Sequence, residues 1–409
     1  MTSGNVIPET RVLAIASHVR VIYVGNKMAT VVMQSLGCDV SALNTVHYSN
    51  HTAYKQVKGT KTTAQEIADL YEGLQQSNLN HFDMLLTGYM PSAEAVEQVG
   101  KIARDLKYNS VTKPGSFFWV LDPVMGDNGK LYIPEDEVPQ YKSLLREADL
   151  ILPNQFEAET LSETTITDLD SLAAAIEILH KKYQVPHIII TSLRLTRDNQ
   201  TIPSRPVSKP ASTTVSGAQT PSESQGQSIA SRADGQAEEV ETLTIIGSTS
   251  TSDHKPRLFR IDTPQIPLFF SGTGDMFAAL TIPRLIEAVH ASPTPDLSSR
   301  ASWKSPDDVA AEDLPLAKAC QKVLASMQAI LAATSARCEA EMEKYDAQVE
   351  KEGCGQGAEA EEQRAKRRHL ALMNASEVKP VRFFKELTDP PELERFKPRS
   401  VQNEIGKRG

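Results

Sequence analysis

The chain has 409 residues, of which 40% are hydrophobic and 23% charged, an ordinary composition for a soluble globular protein with a sizeable core. Its formal net charge of -9 disfavours a nucleic-acid partner, because an acidic surface repels phosphates. The first ten residues lack the apolar core of a signal peptide, and no later stretch is apolar for long enough to span a bilayer. We therefore expect a cytoplasmic protein with no membrane partner.

Short β-branched or apolar runs alternate with longer amphipathic stretches from Arg11 onward. The runs predict strands at 12–16, 40–46, 84–86, 117–121, 150–152 and 188–191. The amphipathic stretches predict helices at 28–36, 63–76, 93–106 and 169–183. This alternation indicates an α/β fold with a mostly parallel sheet covered on both faces, in which ligands bind at the carboxyl ends of the strands.

Three segments depart from this pattern. Residues 1–10 are polar and are predicted to be disordered, as is the insertion at 203–240, which is rich in Ser, Thr, Gln and Pro. Strand-like residues resume at 242–246 and 257–261, so the insertion is predicted to interrupt a hairpin. Residues 336–409 are predicted to form a charged helix or tail, which leaves a single domain at 11–335. The basic cluster at 364–368 could be a nuclear signal or simply a solvated charged face.

The run Ser271-Gly272-Thr273-Gly274-Asp275 comes directly before an apolar helical stretch, so its glycines fall at a helix N-terminus. Without side chains there, backbone N–H groups can approach a phosphoryl group, and one such donor contributes about 3 kcal/mol to a transition state. Asp275 would then accept the proton of a substrate alcohol during phosphoryl transfer from ATP. The alternative is a capping turn, since Asp is common at helix starts.

Two further strand ends carry groups that suit magnesium. No GxxxxGKS/T run occurs, so the phosphates are not held by a P-loop. Asp122 and Asp127 flank a sharp turn after one strand, and Asn154 and Glu157 follow the next. Carboxylate and amide oxygens suit a hydrated Mg²⁺. For both motifs the alternative is a turn or a helix N-cap.

Polar side chains also follow the first two predicted strands. Ser17-His18 comes after the first strand, and Tyr48-Ser49-Asn50-His51-Thr52 comes after the second. Their hydroxyls and imidazoles would meet at the same edge of the sheet. The sequence therefore predicts either a recognition site for a polar ring or a loop network whose polar groups satisfy one another.

From Arg11 to about Ile286 the chain resembles the pyridoxal kinases of the ribokinase-like superfamily, and specifically a fungal-type member with a low-complexity insertion. The motifs occur in the family's order: Ser17-His18-Val19 with Tyr23-Val24-Gly25-Asn26, Ser49-Asn50-His51-Thr52, Leu86-Thr87-Gly88-Tyr89, Asp122-Pro123-Val124, Pro153-Asn154-Gln155-Phe156-Glu157, Thr191-Ser192 and Gly272-Thr273-Gly274-Asp275. The resemblance implies a three-layer αβα sandwich and a homodimer. It also implies ATP-dependent phosphorylation of the 5′-hydroxyl of pyridoxal, pyridoxine or pyridoxamine.

The resemblance also implies roles for individual residues. Asp275 is the proton acceptor, beside the catalytic turn formed by Gly272, Thr273 and Gly274. Ser17 and Thr52 hold the pyridine ring, and Tyr89 lines its pocket. The nucleotide would be contacted by Asp122, Asn154, Glu157, Thr191, Ser192, Thr273 and Gly274. Mg²⁺ would be held by Asp122, Asp127 and Glu157, and the family's chemistry also allows a monovalent cation such as K⁺.

Two positions depart from the family's pattern. Ile22 stands where Gly is common, and a β-branched residue would strain the loop if that position required a positive φ. Leu152 stands where Thr is common, which removes a hydroxyl ligand for a monovalent cation. The change at Ile22 leaves open a kinase for a related ring alcohol, such as hydroxymethylpyrimidine. A further alternative is a nucleotide-binding scaffold without catalysis, which would recruit partners through its insertion and its charged tail.

Overall fold

The computed structural model describes residues 7–195, 200–201, 242–352, 358–402 and 404–406. Strands in these residues are β1 (Thr10–Val19), β2 (Cys38–Tyr48), β3 (Gly59–Lys61), β4 (Met84–Thr87), β5 (Phe118–Leu121), β6 (Gly126–Asp127), β7 (Lys130–Leu131), β8 (Leu150–Ile151), β9 (His187–Arg194), β10 (Thr242–Ser250), β11 (Pro256–Pro264) and β12 (Arg399–Ser400). Helices are α1 (Gly25–Ser35), α2 (Ala64–Gln76), α3 (Ala93–Asn109), α4 (Glu137–Leu144), α5 (Gln155–Ser162), α6 (Leu169–Lys182), α7 (Thr273–His290), α8 (Pro315–Glu352), α9 (Ala358–Ala375) and α10 (Phe384–Thr388).

Ten of the strands form one sheet in the order β12-β11-β10-β9-β8-β5-β4-β1-β2-β3, and β6 pairs with β7 in a separate hairpin. The six central strands from β9 to β2 pair in parallel, whereas β3, β10, β11 and β12 are antiparallel to their neighbours. The prediction of a mostly parallel sheet is confirmed.

The two faces of the sheet bury separate apolar cores. In β1, Val12 and Ala14 belong to one core, while Leu13 and Ile15 belong to the other, as the alternation of side chains along a strand requires. The first core packs against α1, α7 and α8, and the second against α3 and α6. Helices on both faces make the molecule a three-layer αβα sandwich, as predicted.

The predicted hairpin corresponds to β9 and β10, which pair antiparallel along most of their length. Residues 202–241 lie between them in the chain, so the insertion joins two neighbouring strands of the sheet. The predicted disorder at 203–240 concerns residues outside the described ranges, as does that of residues 1–6. Residues 7–10 are described: Ile7 is buried and Thr10 begins β1.

The last part of the chain packs onto the sandwich. Val378, Leu387 and Phe396 are buried in the first core, and β12 pairs with β11. The guanidinium of Arg284 in α7 donates hydrogen bonds to the carbonyl oxygens of Leu387 and Thr388. These residues fall within the segment that the sequence assigns to a charged helix or tail. Their apolar positions are widely spaced among charged ones, so composition alone does not reveal them.

None of the helices in the described ranges is both long and apolar enough to cross a membrane.

Glu137, at the start of α4, is a buried carboxyl group whose ionisation should destabilise the fold. It is 1% exposed, and neither carboxylate oxygen has a hydrogen-bond partner among the described residues. Burial raises the pKa of Glu137 to about 7. Because the unfolded state ionises near the ordinary value of about 4.3, the contribution of Glu137 to native stability is fully present below that pH and is lost as the pH rises through 7.

Glu137→Gln removes this titration. The variant should therefore gain stability relative to the wild type between pH 5 and pH 8, by about 2 kcal/mol. Urea unfolding midpoints at the two pH values measure the difference, and Glu135→Gln in the exposed preceding turn is the control, with no such gain. An equal effect of Glu137→Gln at both pH values would contradict the prediction.

Candidate active site

A small cavity opens at the carboxyl ends of the central parallel strands, where the sequence predicts the chemistry. It is lined by Ala16, Gly25, Ala29, Leu86, Thr87, Gly88, Asp122, Asp275 and Ala278. Asp122 directly follows β5, and its backbone N–H donates to the Thr87 carbonyl oxygen at 2.8 Å, which continues the pairing of β5 with β4. Asp275 reaches the same cavity from the first turn of α7. The fold thus brings together two carboxylates that are 153 residues apart in the sequence.

The N-terminus of α7 forms the turn that we call the anion turn, residues 271–275. Gly272 is the N-cap, in the left-handed conformation with φ 76° and ψ 16°, which glycine adopts without steric strain. No side chain among the described residues caps this helix. A Cβ added to Gly274 would meet no atom within 4 Å. The first turn of the helix therefore presents the positive end of the helix dipole beside open space at Gly274, as an anion site requires.

Burial raises the pKa of the Asp275 carboxyl, and a hydrogen bond from the Gly25 backbone N–H opposes that shift. A carboxylate with a raised pKa is a better proton acceptor than an ordinary aspartate. Gly25 begins α1, so the first helix of the chain contributes directly to the environment of Asp275. The arrangement suits general-base chemistry at an anion-binding turn.

The pKa of Asp122 lies well above its usual range, because burial is reinforced by the negative charges of Glu157 and Asp275. Three carboxylates in one neighbourhood repel one another unless a cation offsets them. Across the described residues, however, no group of three carboxylate, histidine or cysteine side chains is arranged to hold a metal ion directly. Carboxylate oxygens are nevertheless the ligands that a hydrated divalent cation takes.

Glu157 and Asn154 form a capping box at the start of α5. The Asn154 side chain accepts a hydrogen bond from the Glu157 backbone N–H at 2.9 Å, and Glu157 Oε2 accepts one from the Asn154 backbone N–H at 2.9 Å. Glu157 Oε1 also accepts bonds from the backbone N–H groups of Met125 at 2.9 Å and Gly126 at 3.3 Å. The sequence left open a helix N-cap at this motif, and the structure contains one. Glu157 also holds in place the turn that follows Asp122.

Asp127 lies on the exposed side of this turn. Its carboxylate accepts hydrogen bonds from the backbone N–H of Asn128 at 2.7 Å and from that residue's side-chain amide at 3.0 Å. Burial raises the pKa of Asp127, and the hydrogen bond from the Asn128 backbone N–H and the positive charge of Arg194, near the end of β9, oppose that shift. Thr191 and Ser192 lie on β9 itself, and the Thr191 backbone N–H donates to the Pro153 carbonyl oxygen at 3.1 Å. These residues do not line the central cavity, so their nucleotide and metal contacts remain predictions.

Two of the predicted ring-binding residues directly follow residues that line the cavity: Ser17 follows Ala16, and Tyr89 follows Gly88. Ser17 packs directly on Gly25, where an added Cβ would lie 2.0 Å from the Ser17 carbonyl oxygen. Thr52 is exposed at the start of a short 3₁₀ helix, Thr52–Tyr54. Tyr89 is half-buried beside Gly88, and burial raises its pKa to about 12. Their contacts with a substrate remain predictions.

Ile22 does not strain its loop. Its φ is not positive, and its side chain is buried with Val19 and Val24 against Tyr48 and Tyr54. An apolar side chain at this position therefore packs the segment between β1 and α1, instead of forcing an unfavourable backbone. The departure from the family's Gly changes packing near the ring-binding residues and leaves the backbone unstrained.

Sequence reasoning missed several residues of this site. Gly25 and Thr87 line the cavity and lie within the family's motifs, but the sequence indicated no role for either of them. Ser271, immediately before the anion turn's glycines, accepts or donates a hydrogen bond with His51 at 3.4 Å. Glu377, from the far end of the chain, bonds the same imidazole at 2.9 Å. No sequence pattern connects Glu377 with His51, because the pairing depends on how the last helices pack.

Known proteins resemble this chain at both the sequence and the structural level. Residues 33–227 match the family profile described as phosphomethylpyrimidine kinase. A Schizosaccharomyces pombe protein, provisionally named a pyridoxal kinase, is 36% identical over 81% of this chain and 87% of its own length. The pyridoxal kinase of Arabidopsis thaliana is 34% identical over 66% of this chain and 73% of its own length.

A solved structure of Leishmania donovani pyridoxal kinase, in complex with ADP and pyridoxamine, has the same fold. It superimposes with a TM-score of 0.63 at 24% identity, covering 96% of this chain and 99% of the Leishmania chain. The seven motifs, the αβα sandwich and the extent of these alignments lead to one assignment. The chain belongs to the pyridoxal kinase family of the ribokinase-like superfamily.

Proposed function

We propose that this chain transfers the γ-phosphoryl group of ATP to the 5′-hydroxyl of pyridoxal, pyridoxine or pyridoxamine, forming pyridoxal 5′-phosphate from pyridoxal. The observation that carries the proposal is the meeting of Asp275 and Asp122 in one cavity at the N-terminus of α7. Relatives named as pyridoxal kinases, and solved pyridoxal kinases in complex with ADP and pyridoxamine or pyridoxine, support the same substrates.

In this reaction Asp275 accepts the proton of the 5′-hydroxyl as its oxygen attacks the γ-phosphorus. The N–H groups of the anion turn offset the negative charge on the transferring phosphoryl group. Ser17, Thr52 and Tyr89 orient the pyridine ring, so that the hydroxyl is held within reach of Asp275. Asn154, Glu157, Thr191 and Ser192 contact the nucleotide.

The divalent cation is proposed to be Mg²⁺, held through its waters by Asp122, Asp127 and Glu157. The charges that raise the pKa of Asp122 support a cation there. When bound, Mg²⁺ neutralises phosphate charge. A monovalent cation such as K⁺ is also proposed, although Leu152 is buried in the apolar core and supplies no hydroxyl ligand.

A steady-state assay with purified protein tests the function. With Mg-ATP and pyridoxal, we expect formation of pyridoxal 5′-phosphate, measured by its absorbance, and dependence on both Mg²⁺ and ATP. The same assay with pyridoxine and pyridoxamine ranks the three vitamers. Normal ATP binding without any phosphoryl transfer would overturn the proposal and favour the nucleotide-binding scaffold.

A second candidate substrate is hydroxymethylpyrimidine. The matching family profile is described as phosphomethylpyrimidine kinase, and that description favours a pyrimidine ring in the substrate. The ratio of kcat/KM for pyridoxal to that for hydroxymethylpyrimidine decides between the two rings. A ratio well below one would replace the pyridine substrate with the pyrimidine.

The assembly and location of the protein are also proposals. The family resemblance supports a homodimer, which light scattering on the purified protein tests as a mass of twice 44.8 kDa. The sequence supports a cytoplasmic location, with the basic cluster at 364–368 as a nuclear alternative. Imaging of the tagged full-length chain distinguishes the two compartments.

A further inference from the structure

The carboxyl-terminal part of the chain contacts the loop that carries the proposed ring-binding Thr52. We call residues 49–54 the substrate loop. Glu377, just after α9, is 8% exposed, and its Oε1 lies 2.9 Å from His51 Nε2 and accepts a hydrogen bond from the Tyr54 hydroxyl at 3.0 Å. In α9 itself, His369 Nε2 lies 2.9 Å from the Ala53 carbonyl oxygen. Glu377 and His369, near the far end of the sequence, therefore hold this loop through three hydrogen bonds.

The hydrogen bonds that begin at Glu377 continue through His51 to the anion turn. His51 Nδ1 lies 3.4 Å from the Ser271 hydroxyl oxygen, and Ser271 immediately precedes Gly272. An ionised carboxylate only accepts hydrogen bonds, so the contact with Glu377 requires the proton of His51 to be on Nε2. Nδ1 of the neutral ring then accepts from Ser271. Glu377 thereby sets both the orientation and the tautomer of His51.

Glu377 is itself held by the helices before it. Arg337 in α8 donates hydrogen bonds to the carbonyl oxygens of Glu377 at 2.6 Å and Ala375 at 3.3 Å. Where α9 crosses α8, Arg368 makes two bonds to Asp346, at 2.9 and 3.1 Å. Hydrogen bonds to α8 therefore hold in place the segment that carries Glu377.

The pair α8 and α9 also reaches the segment that leads into the anion turn. Leu268, three residues before Ser271, packs against an apolar cluster in which Cys338, Met342 and Ala375 are buried. The two helices therefore contact the chain on both sides of the proposed phosphoryl-transfer site. Apolar packing supports the approach to the anion turn, and Glu377 supports the substrate loop.

We infer that Glu377 is a positioning residue, through which the carboxyl-terminal segment holds the substrate loop against the anion turn before substrate arrives. It acts through His51 and does not touch the reacting atoms. A loop ordered in advance loses less conformational freedom when the ring binds, so affinity for the alcohol substrate depends on Glu377. The kinetic part of this inference rests on the proposed function, whereas the ordering of the loop does not.

Three variants test the inference. Glu377→Ala removes both bonds to the substrate loop. Glu377→Gln retains a carbonyl oxygen that can accept from His51 and Tyr54. Asp346→Ala breaks the bridge between α8 and α9 without touching the loop, and so controls for general loosening of these helices.

Hydrogen exchange of the peptide at 49–56, without substrate, is the first measurement. We expect exchange at least tenfold faster in Glu377→Ala than in the wild type, and within twofold of the wild type in the other two variants. The second measurement is kinetic: KM for pyridoxal should rise about tenfold in Glu377→Ala, with KM for ATP within twofold, and Glu377→Gln should restore the wild-type KM.

Each outcome decides the question. Unchanged exchange in Glu377→Ala, or equal acceleration in Glu377→Ala and Asp346→Ala, would overturn the inference. If exchange changes as expected but the wild type transfers no phosphoryl group, the proposed function fails and the support of the loop stands. Faster exchange without a change in the KM for pyridoxal would confine the role of Glu377 to stability and would overturn its positioning role.

Discussion

Replacing Asp275 with Ala is expected to lower the turnover of phosphoryl transfer by about 10³-fold, within the range that a positioned general base contributes. Asp275 is the carboxylate on the first turn of α7, and no other carboxylate is on that turn. Asp122 lines the same cavity, but burial and the charges of Glu157 and Asp275 raise its pKa, and we assign it to the proposed cation. ADP binding, measured by thermal shift, should remain within twofold of the wild type.

Two further variants define what this loss means. Asp275→Asn retains the size and hydrogen-bonding capacity of the side chain but cannot accept the proton, so it should be nearly as inactive as Asp275→Ala. Asp313→Ala removes an exposed carboxylate that pairs with Lys318 and should leave turnover unchanged. Turnover within threefold of the wild type in Asp275→Asn would remove the assignment of the base.

Local patterns in the sequence predicted much of the fold, and they indicated the glycine turn and the capping box at the candidate site. The alternation of strands and helices is a local property, and it predicted the central parallel sheet. The glycines at 272 and 274 indicated an anion turn. Few other residues adopt a left-handed backbone or allow an anion to approach the backbone N–H groups closely. The spacing of Asn154 and Glu157 is that of a capping box, which is why the N-cap alternative was available from sequence.

The remainder depends on long-range packing. Asp122 and Asp275 share a cavity only because β5 ends and α7 begins at the same edge of the sheet. Glu377 and His51 are 326 residues apart, and no local pattern indicates that they bond. The strain that a positive φ would have caused at Ile22 does not arise, because its φ is not positive and its side chain packs with Val19 and Val24. Contacts of this kind are specified by the whole chain.

Replacing Gly272 with Ala is expected to lower turnover by about 10²-fold, because displacing one N–H donor of an oxyanion-type site costs about 3 kcal/mol. Gly272 has a φ of 76°, and an added Cβ would lie 2.7 Å from the Tyr23 carbonyl oxygen and 2.9 Å from Val24 Cγ1. The first of these atoms is backbone and cannot rotate away. The anion turn and the segment before α1 must therefore move apart.

Gly37→Ala separates this crowding from the strain of a left-handed backbone. Gly37 has a φ of 94°, but an added Cβ would meet only Ile7 Cγ1, at an ordinary 3.6 Å. Both variants carry the left-handed penalty of about 1–2 kcal/mol and should lose similar stability from that source. Only Gly272→Ala should also lose turnover, measured at saturating ATP and pyridoxal. Equal turnover in the two variants would mean that the anion turn tolerates displacement, and that its N–H groups do not stabilise the transferring phosphoryl group.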